Sequence, residues 1–426
     1  MLKTFNSNIS CFGGLFLIHK QLKSSNAISF IDTELGSRVS TIGYNYSDII
    51  LSRIYTSFCG GSSTEDVNYI RKCTLNKLDQ LKIPSADTIL RVDKELSTPC
   101  AYIETDSGKE NKININPKLN RFLIRSAIYF NQLNPHDDNL IYDFDHQFIP
   151  AEKYDAGYSY KNKKGYFPGV ATISNTPVYI EGRNGNCNVK TAQLSTHIRA
   201  MNSLSSEGIK PKYARMDSGS YIKEVTDYFH DQDVIFSIRA NSSETLLCLS
   251  SKVNDWQAVT INFQDMEIAS FPYEFGNHKH RIIAYRIKNK TGQISALTGD
   301  AKKYMFIITN DNDISEKQAI EFYNKRGDSE RVFDIQNNDF NWNSMPHSFL
   351  DENTVYLIIM AVAHIMYKWI LSIFCNHVDG INQTSRLKRF IFRFVITAAK
   401  FTKSGRRNFI HLNSQNKTLI NMLNSS

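Results

Sequence analysis

The stretch NLIYDFDHQ, Asn139 to Gln147, decides how the rest of the chain reads. NLIYDFD has the β-branched and aromatic content of a strand, and Asp143 and Asp145, two apart on it, point to one face. Asp145 falls at the C-terminal edge, where sites of α/β sheets form. Downstream, PGVATIS (Pro168 to Ser174) and PVYIEGR (Pro177 to Arg183) read as two more strands separated by Asn175 and Thr176. Val189 to Leu204 reads as a helix. KYARMDSG (Lys212 to Gly219) is a strand entering a tight turn, Tyr221 to His230 a helix, and DVIFSIR (Asp233 to Arg239) a strand.

Three strands, a helix, a strand, a helix and a strand is the order of an RNase H-like α/β core. Working outward, residues 241–312 hold short apolar runs (TLLCL, AVTINF, HRIIAYRI, KYMFIIT) broken by Gly, Asn and Pro, the pattern of a β-rich, mostly antiparallel insertion. Ser315 to Gln318 fits a capping box, and the helix it opens is expected to run to Gln336, with Gly327 costing roughly 1 kcal/mol. The expected organisation is a mainly helical N-terminal DNA-binding region over 1–130, the core over 131–240 and 313–380 around the insertion at 241–312, and a basic segment over 381–426. Within the first region, Thr64 to Leu81 and IPSADTILRVDKEL, capped by Ser85 with Arg91 and Lys94 exposed, form two short helices resembling a helix-turn-helix, a pattern more often a packing hairpin than a DNA reader. Ser97 to Lys118 reads as a polar linker.

Composition bounds the function class. The 426 residues, 41% apolar, 22% charged and 12% aromatic, suit a globular protein of two or three domains and exclude collagen-like, coiled-coil and disordered readings. Seven cysteines without a CxxC pair read as reduced thiols, which points to the cytoplasm. Cys11 to Ile18 is too short for a signal peptide. Thr354 to Cys375 could span a bilayer by length, but His364 and Lys368 one turn apart favour a buried helix, so no membrane is expected.

The net charge of +8 is concentrated at the C-terminus. No acidic residue follows Asp379, and Arg386, Lys388, Arg389, Arg393, Lys400, Lys403, Arg406 and Arg407 alternate with Phe390, Phe392, Phe394 and Phe401. Such a segment suits the phosphates of double-stranded DNA, with a solvated face on a core element as the ordinary alternative.

Asp145, Asp217 at the end of RMD, and Glu330 on the long helix could meet at one sheet edge. Converging carboxylates repel unless a cation neutralises them, and oxygen-only ligation selects Mg²⁺ or Mn²⁺. Two such ions would suit phosphoryl transfer. Taken singly, an Asp ending a strand is usually a turn residue and a helical Glu usually solvated. In YNKRGDSERVFDIQN, however, Tyr323, Arg326, Glu330 and Asn337 fall in one stripe at about 100° per residue. That stripe sets Arg326 beside Glu330 and Tyr323 one turn back, where each could hold a phosphate. His278 and His280 in GNHKHR are read as alternating strand residues next to a basic surface rather than metal ligands.

The spacing Tyr323-x2-Arg326-x3-Glu330 resembles the Tyr-x2-Arg-x3-Glu-x6-Lys signature of bacterial insertion-sequence transposases with an Asp, Asp, Glu triad. DFDHQ and RMDSG are similar to the two Asp motifs of one subgroup, the insertion-sequence thirteen-eighty branch, and RNGN (Arg183 to Asn186) to its Arg-x-Gly-Asn turn. The resemblance implies Asp145, Asp217 and Glu330 as catalytic metal ligands for two Mg²⁺ or Mn²⁺ ions, with Asp143 a neighbouring ligand. It also implies Tyr323, Arg326, Arg386, Lys388, Arg389, Arg393, Arg406 and Arg407 as DNA contacts. Two departures stand out: Asn337 in place of the signature Lys, and Gln147 in place of the usual Thr, with His146 between Asp145 and Gln147. The implied activity is cleavage at element ends and joining of 3′ hydroxyls to target DNA, by a DNA-bound homodimer in the bacterial cytoplasm near the nucleoid. The competing readings are a catalytically inactive transposase-derived DNA-binding regulator and a structure-selective nuclease.

Overall fold

The computed structural model describes residues 8–38, 43–104, 108, 110–159, 162–289, 291, 292, 294, 298–405 and 407–413. The N-terminal third carries α1 (Gly13–Ser24), α2 (Ala27–Leu35), α3 (Tyr46–Phe58), α4 (Asp66–Cys73) and α5 (Ala86–Leu96). A hairpin of β1 (Ala101–Glu104) and β2 (Glu110–Asn114) and helix α6 (Pro117–Tyr129) lead into the sheet. Its central strands are β3 (Ile141–His146), β4 (Gly169–Ile173), β5 (Thr176–Arg183), β6 (Tyr213–Met216) and β7 (Ile235–Ala240), with α7 (Gln193–Ser206) before β6 and α8 (Lys223–Asp231) before β7. After α9 (Glu244–Ser251) come β8 (Gln257–Ile261), β9 (Gln264–Phe275), β10 (His278–Lys288) and β11 (Lys302–Thr309). Three helices follow: α10 (Glu316–Asn324), α11 (Asp328–Asn338) and α12 (Leu350–Phe374).

One 11-stranded mixed sheet runs β8-β9-β10-β11-β7-β6-β3-β4-β5-β2-β1. Strands β3, β6 and β7 are parallel, in register Asp143↔Arg215 and Arg215↔Ser237, while β4 and β5 return antiparallel beside β3. This pairing brings the C-terminal ends of β3 and β6 side by side. The strands of 257–309 continue the same sheet, because β11 pairs antiparallel with β7. Their inner face makes a small apolar core of its own with Ala319, Ile320 and Tyr323 of α10.

The main core is one continuous apolar cluster from Leu15 to Val395, centred on α12. Among the described residues α12 is the one helix long and apolar enough to cross a membrane, yet most of it is enclosed by protein. It packs on α3, α5, α6 and β5. Gly182 allows that approach, since a Cβ there would collide with the Thr354 hydroxyl. His364 is buried against Gln336, 3.1 Å from its amide nitrogen, and half-buried Lys368 reaches the Thr176 hydroxyl at 3.4 Å.

Four expectations change. Ser97 to Lys118 is a hairpin rather than a linker: β2 finds an edge partner in β5 through Ile113↔Arg183, a long-range pairing that local polarity does not disclose. The helix expected over Thr64 to Leu81 stops at Cys73. The Thr74 hydroxyl pairs with the Ser10 hydroxyl at 2.6 Å, its backbone leaves helical geometry, and a 3₁₀ turn follows at Leu75–Lys77. The helix begun at Ser315 has its capping box but is interrupted by a 3₁₀ turn at Lys325–Gly327, where glycine offers little resistance. The basic C-terminus forms strands Ala399–Ser404 and Arg407–Leu412, the first of which pairs with Ile9–Ser10.

A buried ion pair ties the N-terminal helices to the rest. Asp93, fully enclosed on α5, receives Arg53 of α3 at 2.8 and 2.5 Å, and His347 lies 2.7 Å from its second oxygen. Truncating one partner leaves a buried, uncompensated charge. Asp93→Ala should therefore lower the unfolding free energy by about 3–5 kcal/mol in urea melts, and a loss below 1 kcal/mol would show that this pair does not hold the helices.

Candidate active site

The site starts from the parallel pairing of β3 and β6. Asp143 and Asp145 lie on one face of β3, but their surroundings differ. Asp143 is buried, and its register neighbour Arg215 binds both its oxygens at 2.7 Å. The same guanidinium donates to the Phe322 carbonyl at 3.0 Å, fastening the end of α10 over the strands. Burial raises the Asp143 pKa and Arg215 opposes the rise. Both of its oxygens are thus engaged.

Asp145 is two residues further, at the strand end, with 18% of its side chain exposed. Asp217 ends β6 beside it and caps the 3₁₀ turn Ser218–Ser220, accepting the Gly219 N–H at 3.0 Å. Burial first, and then the charge of Asp145, push the Asp217 carboxyl up to about 6. Burial also raises Asp145, against the pull of Arg326. The two acids open on a cleft of about 480 Å³ lined also by Gln147, Phe148, Lys190 and Asn241.

Arg326 enters this cleft edge from the 3₁₀ turn between α10 and α11. Its Nη1 donates to Asp145 Oδ2 at 2.7 Å, its guanidinium lies 5.8 Å from the Tyr323 ring, and its Nε is buried without a partner. Burial works against its charge, but Tyr323, Asp145 and Asp217 outweigh it. Tyr323 itself is 8% exposed and belongs to the core beneath the added strands. Glu330 is exposed on the first turn of α11, close enough for its charge to raise Asp145. The Asn337 Oδ1 is buried with no donor.

Among the described residues, no three His, Cys, Asp or Glu side chains stand close enough to hold a metal ion. Asp145 and Asp217 nevertheless fit a hard cation. They offer only oxygen donors, and their mutual repulsion is what a cation would relieve. In this structure Arg326 supplies that positive charge to Asp145, and Glu330 remains outside.

Three more enclosed side chains, Glu181, Arg183 and His146, complete the frame. Glu181 and Arg183, both fully enclosed, pair at 3.1 Å. Arg183 also donates to the Thr191 carbonyl at 3.0 Å and to the Thr196 hydroxyl at 2.7 Å. That anchors the loop bearing Val189 and Lys190, which line the same cleft, Val189 lying against the Gly219 turn that Asp217 caps. RNGN marks this Arg, but only tertiary packing shows what it holds. His146 is buried between Phe144 and Phe167, with neither ring nitrogen partnered, and burial depresses its pKa so that the ring is neutral.

The C-terminal cations divide. Arg386 is bound to Asp334 and Asp339 of the α11 region. Lys388, Arg389 and Arg393 are exposed, Arg389 donating to the Gly380 carbonyl at 2.6 Å and Arg393 lying 6.0 Å from the exposed ring of Phe392. Phe390 and Phe394 are buried. Arg406 and the side chain of Arg407 lie outside the described residues.

A family model described as transposase DDE domain group 1 matches residues 5–423. No curated protein matches the chain. Among solved structures, the chain is similar to a piggyBac transposase in a synaptic complex with hairpin DNA, at 15% identity, covering 90% of this chain and 78% of that one with a TM-score of 0.43.

The raised pKa of Asp217 has a defined consequence for stability. The folded chain holds this proton up to about pH 6 and the unfolded chain only to about 3.8, so stability falls as pH rises through that window. In EDTA, Asp217→Asn should raise the unfolding free energy at pH 7 by roughly 1–3 kcal/mol. The gain should vanish near pH 4, where the wild-type acid is also protonated. A variant less stable than wild type at pH 7 would show that the acid is not electrostatically strained.

Proposed function

The chain belongs to the transposase DDE domain group 1 family, and from that premise we propose that it is a DNA transposase which binds the terminal inverted repeats of its element, cleaves at the element ends and joins the 3′ hydroxyls to target DNA. The observation that carries this reading is the meeting of Asp145 and Asp217 on adjacent parallel strand ends, with Arg326 of the 3₁₀ turn bound to Asp145 and Glu330 on the following helix close enough for its charge to raise Asp145. The strand order β5-β4-β3-β6-β7 supports reading the core as RNase H-like. The Tyr323, Arg326, Glu330 spacing supports the insertion-sequence signature group and its thirteen-eighty branch. The strands of 257–309 would then be an insertion between the second Asp and the Glu, and residues 1–130 the region that reads element ends.

Asp145, Asp217 and Glu330 are the residues that would hold divalent cations, Mg²⁺ or Mn²⁺, which when bound supply activation of an attacking oxygen and stabilisation of the leaving one. The chain's own contribution is positional. Asp143 and Arg215 fix β3 against β6 and α10. Arg183 holds the Lys190 loop at the cleft, where a cation can meet a phosphate. Water attacking a phosphodiester and a 3′ oxygen attacking target DNA are both in-line substitutions, so one site serves both. A homodimer bridging two ends belongs to the same proposal.

The deciding assay is cleavage of a labelled element end in Mg²⁺ and in EDTA. Asp145→Ala, Asp217→Ala and Glu330→Ala should each reduce cleavage about a thousandfold or more while end-DNA affinity stays within about threefold. Release of ends by any of the three at the wild-type rate would remove that acid from the site. Binding without cleavage by the wild type would favour a regulator. Lys388→Ala and Arg393→Ala should each lower the salt dependence of DNA binding by about one unit of slope, whereas unchanged slopes would place DNA elsewhere.

A further inference from the structure

We propose that the joint Lys325–Gly327 determines whether Glu330 joins Asp145 and Asp217, and that Arg326 holds it in the disengaged setting by occupying Asp145 where a divalent cation would bind. The inference rests on the metal-dependent reading of the site given above. It makes Arg326 and Gly327 positioning residues rather than ligands.

The joint couples an ion pair to a local winding. Arg326, the residue bound to Asp145 at 2.7 Å, is itself the middle of the 3₁₀ turn, so the ion pair and the local winding are one structural state. A 3₁₀ turn advances about 120° and 2.0 Å per residue against about 100° and 1.5 Å in an α-helix. Rewinding these three residues as α-helix would turn α11 by about 60° and draw it in by about 1.5 Å relative to α10. That restores the single stripe on which Tyr323, Arg326, Glu330 and Asn337 align. Ile320 and Tyr323 hold α10 in the core under the added strands, and a rotation of α11 would shift Phe333 within the main core and the contact of Gln336 with His364.

The space for it exists. A cavity of about 250 Å³ lies between α11 and α12, lined on one side by Arg331, Val332 and Ile335 and on the other by Lys368 and Leu371. Along that groove the exposed Asp328 and Arg331 border open volume, while Val332 beside them is buried. Arg386 tethers the far end of α11 through a long, partly exposed side chain, which can follow a rotation of the helix. At the joint itself, a Cβ on Gly327 would have nothing within 4 Å, so alanine fits there and favours α-helical winding.

The experiment is Mn²⁺ binding to the full chain without DNA, read from the electron paramagnetic resonance signal of free Mn²⁺. In the wild type, Glu330→Gln should change Mn²⁺ affinity less than about twofold, but in a Gly327→Ala background it should weaken it about tenfold, because the carboxylate has become a ligand. Arg326→Gln should tighten Mn²⁺ binding about tenfold by removing the competing cation. Hydrogen exchange supplies a second readout on the unmutated chain: amides of 325–330 should slow when Mn²⁺ saturates. Equal effects of Glu330→Gln in both backgrounds, or exchange unaltered by Mn²⁺, would overturn the joint. If Asp145→Asn and Asp217→Asn abolish Mn²⁺ binding while the coupling is absent, the joint alone fails. If those two substitutions leave Mn²⁺ binding intact, the carboxylate metal site itself fails, and the joint with it.

Discussion

Two carboxylates brought to adjacent strand ends in a half-buried cleft repel one another, and the surrounding structure answers that repulsion. Parallel pairing of β3 and β6 makes the approach of Asp145 and Asp217 unavoidable. Burial compounds it, since each acid loses hydration that would have screened the other. The fold does not remove the strain. It meets it with Arg326, delivered from a helix more than 100 residues away in sequence, and with backbone N–H groups that steady Asp217. Such a concentration of negative charge, met here by Arg326, is what the proposed cation would relieve.

Holding such a point still requires a rigid frame, and the frame is made of charge rather than hydrocarbon alone. Asp143 with Arg215, Glu181 with Arg183 and Asp93 with Arg53 are all enclosed pairs whose oxygens are met by guanidinium donors. Buried pairs of this kind contribute little net stability over apolar packing, but they tolerate no shift in register. The first and third join segments distant in sequence, strand to strand and N-terminal helix to helix, while Glu181, two residues from Arg183 on one strand, orients the guanidinium that holds the Thr191 loop. Asp143 illustrates the division of labour. It shares a strand face with Asp145, but its oxygens are committed to Arg215, so one acid locks the platform and the other faces the cleft.

Much of this was legible from residues alone, and the parts that were not share a cause. The β-run around Asp143 and Asp145, the two strands flanking Asn175, and the strand ending at Asp217 follow from local patterning, and the observed sheet contains them. The hairpin over 101–114 was hidden because its stability comes from the edge of β5, not from its own polar residues. The winding at Lys325–Gly327 was hidden because a helical stripe is computed at one pitch, whereas an ion pair to Asp145 and a glycine together change the pitch. Tyr323 and Arg386 show the same limit for side chains. Residue type marked both as groups for phosphate, and the structure finds Tyr323 in a small apolar core and Arg386 paired with two acids.

The fate of Arg386 also shows why net charge overstates a nucleic-acid surface. A run of cations without acids in the same segment looks unneutralised, yet Asp334 and Asp339 of the α11 region supply the missing charges across space. Those pairs, with the Leu387 N–H donating to Asp339 at 3.4 Å, fasten the segment bearing Lys388, Arg389 and Arg393 to the helix that bears Glu330, so its cations are partly neutralised from a distant part of the chain.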